Sequence, residues 1–391
     1  FIMSSTRLPA INSLRLAFLI FMIYADAFLR VDILEYWDLH SFAISAVFHG
    51  HFEKIWTQIR PESHAIYPYR AYYDELSIPS KYRITAISKC LFDNTQISIG
   101  VLNMTLQAEV SPLVDVRCPS RFSASYPWSM HEFTIPTDFK ASSIELIVNQ
   151  TRKVTIPVVE RQKHTVIGKV EVCVSGKVFW YDDWPRLIMF FELWREVHNA
   201  HFTIYVQSTS KNVRKVLDFY EKTGAVTVIP WPDLPTSKGK EDPNKGIYRL
   251  ADGIGQNDCL FRSNAEVGIV LDIDEFVYIK NNQTLLQFMR NKRDQIPNLG
   301  SLSFQRFRTD MSTLDGSFDA IGSESITRIN SAKKVAFFPT RLGTVWTHGV
   351  WRHIGSYGMH NVDPDEAIVL HMRQNMILQQ IPHKRTPIIK L

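Results

Sequence analysis

The sequence predicts a two-part chain: a smaller β-rich domain over residues 32–165, then an α/β domain with a mostly parallel sheet over residues 166–391. Three observations carry this. In the first part, short apolar segments are separated by polar and Pro-containing connections, with no long helical period between them. From Lys169 onward strand-like and helix-like segments alternate, the pattern of parallel strands joined by right-handed crossovers. The fourth strand of that alternation, Val267-Gly268-Ile269-Val270-Leu271, runs directly into Asp272-Ile273-Asp274-Glu275.

Composition sets the outer limits. With 391 residues, 45% hydrophobic and 21% charged, the chain can bury more than one core. A net charge of +5 without any Lys/Arg run or basic-aromatic repeat gives no reason to expect a nucleic-acid partner. Residues 1–31 are expected to be a signal or anchor segment. Arg7 and Arg15 precede the apolar run Leu16–Ala25, and Asp26 interrupts it, which is signal-peptide length and short for a bilayer span. A type II membrane anchor requires Ala27-Phe28-Leu29 to extend the span.

In the β-rich part, strands are expected at Phe42–Val47, Tyr82–Ile87, Gln96–Val101 and Ser143–Val148. The cluster Tyr67-Pro68-Tyr69-Arg70-Ala71-Tyr72-Tyr73 reads first as core packing and only second as a sugar-stacking surface. Sequons at Asn103, Asn149 and Asn282 are acceptors in a secretory lumen, though chance sequons also occur. Four cysteines form an even set in a chain with a plausible secretory signal. Cys90–Cys118 with Cys173–Cys259 is the preferred of three connectivities.

In the α/β part, strand Lys169–Val174 leads to the loop Ser175-Gly176-Lys177 and then a helix. Asp182 or Asp183 caps that helix, Pro185 suits its first turn, and Leu187, Phe190, Phe191, Trp194 and Val197 form its apolar stripe. Strand Phe202–Val206 follows, then a helix begun by Ser210 and stopped by Gly224, strand Ala225–Ile229, and a helix over Ile247–Asn264. Thr284 caps a later helix. Strands follow at Ser301–Phe304, Lys334–Phe338 and Ala367–Leu370. Gly253-Ile254-Gly255 is a lone Gly-x-Gly inside a predicted helix, and no Walker A sequence occurs, which argues against dehydrogenases and P-loop NTPases.

The chemistry concentrates at Asp272 and Asp274. In an extended strand the two share one face at the carboxyl edge of the sheet, where open α/β sheets bind ligands. Two hard carboxylates there suit Mn²⁺ or Mg²⁺, which keep positions for waters and substrate phosphates. Spacing alone is weak: at about 6% Asp, one Asp-x-Asp is expected by chance in this length, and Asp363-Pro364-Asp365 is a second instance. The buried apolar run before Asp272 separates them. Among His348, His353, His360 and His371, only His371 stands at a strand end and is a sensible third ligand.

Taken together, Val172-Cys173-Val174, the helix with Trp194, Gln256-Asn257-Asp258-Cys259-Leu260-Phe261-Arg262, Leu271-Asp272-Ile273-Asp274-Glu275-Phe276 and His371-Met372-Arg373 resemble glycosyltransferase family 92 from about Val166 to the carboxyl end. Lys334, Pro339 and His348 match its Lys/Pro element before a His. The resemblance implies a GT-A nucleotide-sugar fold and a type II Golgi membrane enzyme, with a secreted form as the alternative. It also implies inverting transfer of a sugar, galactose in characterised members, from a UDP-sugar to a glycan or glycoprotein acceptor. Asp272 and Asp274 would hold Mn²⁺ against the UDP diphosphate. Asn257, Asp258, Arg262 and Lys177 would contact or support the nucleotide-sugar. The loop Ser175-Gly176-Lys177 departs from the family's Pro-Leu-aromatic pattern, which leaves the nucleobase contacts open.

For the catalytic base, Asp310 after the strand Ser301–Phe304 is the candidate, and Glu275 is placed on the face opposite the two aspartates. Two other classes compete. A haloacid-type phosphohydrolase puts its Asp-x-Asp strand first, whereas three strands precede this one. A secreted, catalytically degenerate carbohydrate-binding member would keep the fold without turnover.

Overall fold

The computed structural model describes residues 66–90, 97–113, 126–236, 242–310, 326–373 and 388–390. The segment 1–31, the expected strand Phe42–Val47 and Cys118, hence the expected Cys90–Cys118 pair, lie outside the described residues. Among the described residues no helix is long and apolar enough to cross a membrane.

The amino-terminal sheet contains eight strands: β1 (Ile66–Asp74), β2 (Lys81–Lys89), β3 (Ile97–Val101), β4 (Met104–Gln107), β5 (Glu109–Pro112), β6 (Trp128–Pro136), β7 (Ser143–Val148) and β8 (Arg152–Glu160). Their order is β4-β3-β7-β8-β1-β2-β6-β5, antiparallel except where β1 meets β8. β1 is buried on both faces, because alternate residues serve different cores. Ile66, Ala71 and Tyr73 pack within this sheet, while Tyr67, Tyr69 and Tyr72 join a core shared with the second sheet. There Tyr69 stacks on Trp231 at 5.2 Å, and Tyr72 meets Phe261 edge-on at 5.0 Å. The tyrosine cluster is therefore core.

The second sheet begins with four parallel strands, β9 (Val166–Val178), β10 (Ala200–Val206), β12 (Val226–Pro230) and β13 (Ala265–Leu271), in the order β12-β10-β9-β13; the short β11 (Ser208–Ser210) lies outside it. Beyond β13 the expectation of a mostly parallel sheet fails. β14 (Glu275–Ile279), β15 (Leu299–Asp310), β16 (Ile326–Phe337) and β20 (Ala367–Arg373) complete the path as β13-β16-β15-β20-β14, with β16 antiparallel to β13. β17 (Leu342–Trp346) and β18 (Gly349–His353) form a hairpin, and β19 (Gly358–Asn361) pairs with β15. The physical reason is the connection: only a three-residue turn, with no helix in it, separates β13 from β14, so no parallel crossover can join the two. Gly268 permits the β13–β16 pairing, since a Cβ there would lie 2.4 Å from the Phe337 ring.

Among the described residues four helices pack on this sheet: α1 (Trp184–His198), α2 (Lys211–Lys222), α3 (Asp252–Arg262) and α4 (Leu285–Gln295). Asp183 caps α1, Ser210 caps α2, and Thr284 with Gln287 forms a capping box on α4. Two local expectations change. Ser175–Lys177 is not a loop, because Gly176 takes a left-handed turn (φ 74°) and lets β9 run on to Val178. The helix expected over Ile247–Asn264 is broken, because Arg249, Leu250 and Ala251 are all left-handed and α3 starts only at Asp252. Cys173–Cys259 joins β9 to α3 as expected.

Helix α1 also holds the outer strand β14 through two side chains, Trp194 donating from Nε1 to Glu275 O at 3.1 Å and His198 from Nε2 to Val277 O at 3.1 Å. Nδ1 of His198 accepts from Leu285 N at 3.0 Å, so its partners specify one neutral tautomer. Burial pushes the His198 pKa down to about 4. Protonation would aim a second N–H at the Leu285 N–H. The ordinary histidine value is about 6.5, so above it both folded and unfolded states are neutral and the contribution is complete. Between pH 6.5 and 4 only the unfolded chain takes up the proton, and stability falls by at most about 1.4 kcal/mol per pH unit. His131, lowered by burial to about 4, adds in the same direction. Urea unfolding across this window should show the decline, and His198→Gln should remove part of its slope; an unchanged slope would contradict the assignment.

Candidate active site

The site is built on the end of β13. All seven residues of the strand are buried, so the chain must turn at the first polar residue to bring its carboxylates to solvent. Asp272–Asp274 is that turn rather than a continuing strand: Glu275 N donates to Asp272 O at 3.1 Å, and Asp272 N donates to Glu275 Oε2 at 2.9 Å. Glu275 thus does not lie opposite the aspartates. It shares a partner with Asp272.

That partner is Lys334 on β16, fully buried and level with the end of β13. Its Nζ lies 2.9 Å from Asp272 Oδ2 and 2.7 Å from Glu275 Oε2. Arg306 on β15 reaches Glu275 Oε1 at 3.1 Å, so two cations balance two carboxylates. Burial raises the Asp272 carboxyl, but Lys334 outweighs it and leaves Asp272 below its ordinary value. At Glu275 burial prevails and the pKa stays raised.

Asp274 faces the other way. Its Oδ2 lies 3.1 Å from His371 Nε2, and its carbonyl accepts from Met372 N at 2.7 Å, because β14 and β20 pair Glu275 with His371. The buried Nδ1 of His371 has no hydrogen-bond partner among the described residues. Arg186, in the first turn of α1, stands 4.0 Å from Asp274 Oδ2 and 3.1 Å from Asp183.

Asp272, Ile273, Asp274 and Arg186 border a cavity of about 280 Å³ whose wall is completed by Val174–Phe179 and Tyr181. Lys177 lies in that wall, 5.6 Å from the Trp231 ring centroid. Burial lowers its pKa to about 8, against an opposing pull from Asp233. Burial, then Asp183, pushes the Tyr181 hydroxyl well up, and that hydroxyl has no hydrogen-bond partner among the described residues. Behind the wall, Gln256 donates to Ser175 and Thr347, and Thr347 also joins Asp252 and Arg249. This network fixes the β9 bulge from beneath.

Asp272, Asp274 and Lys177 therefore line one cavity, and His371 is tied to it through its 3.1 Å contact with Asp274. Asn257 does not reach it: it donates to Gly253 O and Val345 O and accepts from Val345 N, clamping α3 to β17. Asp258 is fully buried and accepts from Tyr72 and Tyr205, with Arg70 at 3.4 Å. Arg262 is exposed at the carboxyl end of α3, beside the start of β13. A strand of seven residues puts it roughly 20 Å from Asp272. The backbone of Asp310 ends β15, and its side chain lies outside the described residues. His348 contacts the Lys333 carbonyl and His353 contacts Ser301. Sequence reasoning missed Arg186 and Tyr181; the only available signal was their position beside the helix cap, which a structural reading also explains.

For a divalent ion, the donor chemistry fits. Octahedral bonds of about 2.1 Å place adjacent donors roughly 3 Å apart, and Asp274 Oδ2 and His371 Nε2 lie 3.1 Å apart. Asp272 borders the same cavity with Oδ2 already engaged. No group of three or more His, Cys, Asp or Glu side chains is gathered as a metal cluster among the described residues. The fit is to an ion that keeps waters and substrate oxygens.

Comparison with known proteins gives one family match: residues 168–387, more than half the chain, match the model described as glycosyltransferase family 92. Two Caenorhabditis elegans glycosyltransferase family 92 proteins are similar. One is 19% identical over 55% of this chain and 44% of its own length, the other 23% identical over 46% and 37%. The chain thus spans less than half the length of these relatives. A solved structure of S. aureus TarS aligns with 36% of this chain and 35% of that chain, at 13% identity and a TM-score of 0.22.

Removing Lys334 would leave two carboxylates facing one another without their shared cation. Lys334→Ala should cost about 3–5 kcal/mol in urea unfolding, and adding Glu275→Gln should recover part of that loss. Equal stability of wild type and Lys334→Ala would refute the assignment.

Proposed function

The chain belongs to glycosyltransferase family 92, and on that premise we propose that it moves a sugar, galactose in this reading, from a UDP-sugar to a glycan acceptor with inversion. The reading takes the second sheet as a GT-A-type donor site and places the enzyme in the Golgi lumen behind an amino-terminal type II anchor. The observation that carries it is the pair Asp272 and Asp274 at a sheet edge, bordering a cavity that Lys177 and Arg186 also line. A diphosphate in this cavity meets two cations. It also meets two carboxylates, which can bind it only through a metal.

Asp274 and His371, with the free oxygen of Asp272, would hold Mn²⁺ or Mg²⁺. The ion supplies charge stabilisation for the departing UDP. The protein's own work is positional. Lys334 keeps Asp272 ionised and fixes the turn. Arg186 neutralises the diphosphate beside Asp274, and Lys177 does so from the end of β9. A carboxylate takes the proton of the acceptor hydroxyl as that oxygen attacks the anomeric carbon. Asp310 is proposed for this role: β15 runs parallel to β20 with Arg308 opposite His371, so the Asp310 backbone is two residues further along.

A second reading, a sugar-binding member without turnover, is favoured by one observation, the engagement of Asp272 Oδ2 by Lys334. Release of UDP from a panel of UDP-sugars, with and without Mn²⁺, separates the two. Under the transferase reading, wild type releases UDP with at least one donor and chelation stops it. Asp274→Ala should then lower the rate by at least the roughly 10–100-fold that loss of even an outer-shell partner of a metal site costs. No UDP release by wild type with any donor would sink the proposal, and sugar binding without release would favour the second reading.

Lys177 gives a pH test. Its ammonium is the phosphate-binding form and prevails below about pH 8; above it the neutral amine loses the attraction. Donor KM should therefore rise between pH 7.5 and 9 in wild type. The rise should be absent in Lys177→Met, whose KM is high throughout, and a wild-type slope in that variant would exclude Lys177 from donor binding.

A further inference from the structure

Strand β4 is an anomaly. Among the described residues it is the outermost strand of the amino-terminal sheet, it pairs with β3, and all four of its residues are exposed. Beside and within it, Leu102 is 68%, Met104 38% and Leu106 37% exposed. An open edge carrying apolar side chains is a template for unwanted strand pairing, and proteins usually block it with charge, proline or cover. β4 has neither charge nor proline.

The two-residue connection from β3 to β4 is Leu102-Asn103, and Asn103-Met104-Thr105 is a sequon with both Asn103 and Thr105 exposed. The other two sequons have backbone explanations. Asn149 and Asn282 take left-handed conformations (both φ 53°), for which Asn is favoured. Thr284, the hydroxyl residue of the third, is the cap of α4. At the β3–β4 connection Leu102 takes the left-handed position (φ 52°), so the turn does not call for asparagine at 103.

We propose that Asn103 carries an N-linked oligosaccharide and that this glycan covers the Leu102–Leu106 edge. The proposal rests on the luminal residence proposed above, which the buried Cys173–Cys259 bond supports, since disulfides persist in oxidising compartments. In the transfer step the Asn103 amide nitrogen loses a proton and bonds to C1 of an oligosaccharide. The bond from C1 to a lipid-linked diphosphate breaks, and the diphosphate leaves with the electron pair. The attached glycan is bulky and soluble. Fixed at the tip of the hairpin, it keeps a second strand from docking on β4.

The test is peptide mapping of the chain secreted from a eukaryotic cell behind a cleavable signal. The Asn103 peptide should be found only after enzymatic deglycosylation, and then at its bare mass plus the deamidation increment that this leaves. Asn103→Gln and Thr105→Ala should each remove the same glycan and shift the protein to larger assemblies in light scattering. Adding Leu102→Lys and Leu106→Lys to Asn103→Gln should reverse that shift. An unmodified Asn103 in secreted wild type overturns the proposal, whatever Asn149 and Asn282 carry. A glycan whose loss leaves the assembly size unchanged overturns the covering role. Neither readout depends on sugar transfer, so failure here leaves the transferase reading standing.

Discussion

Burying an ammonium group without partners costs several kcal/mol, so Lys334 dictates what surrounds it. The two carboxylates that satisfy it come from one turn, Asp272 and Glu275, and can reach it together only if the chain reverses directly after β13. That reversal sends Glu275 into β14 instead of a crossover helix. β14 is then held by β20 and by Trp194 and His198 of α1, and its pairing with β20 brings His371 to Asp274. The site and the mixed character of the sheet have the same origin.

The amino-terminal sheet is joined to this arrangement through buried charge as well as aromatic packing. Arg83 lies between Asp74 and Glu132, and Asp74 also takes Arg161 at 2.8 Å. Arg161 donates to the carbonyls of Pro339 and Leu342, and Arg352 of β18 reaches back to Glu132. Both Arg83 and Arg161 flank the Phe261 ring of α3. The hairpin β17–β18 is thereby fixed against the first sheet. Since Thr347 at its tip supports Ser175 in the cavity wall, the first sheet helps to set the shape of the site without lining it.

Local elements were legible in the sequence because their causes are local. Asp183, Ser210 and Thr284 cap the helices they precede, and the alternation of β7 and the apolar run of β13 needed no tertiary knowledge. The mixed pairing beyond β13 was not legible, because it depends on Phe337 lying over Gly268 and on Lys334 being buried against the end of β13. Asn257 and Asp258 illustrate a different limit. Polar residues on a buried helix look like contacts for a ligand, but here Tyr72, Arg70 and Val345, all distant in sequence, satisfy them. Only a fold that brings those partners in can tell structural polarity from functional polarity.

The two Asp-x-Asp sequences make the same point at the smallest scale. Asp363 and Asp365 share the spacing of Asp272 and Asp274, yet Asp363 Oδ1 accepts from Asp365 N, an ordinary turn on the surface. Asp365 pairs with Lys280, itself half exposed, so that contact is screened by water and contributes little. Asp272 instead meets a lysine with no solvent at all, and Asp274 meets a buried histidine with a ring nitrogen to spare. Charge that cannot be hydrated must be organised by the protein. Organised charge at the open edge of a sheet is what a charged ligand can use.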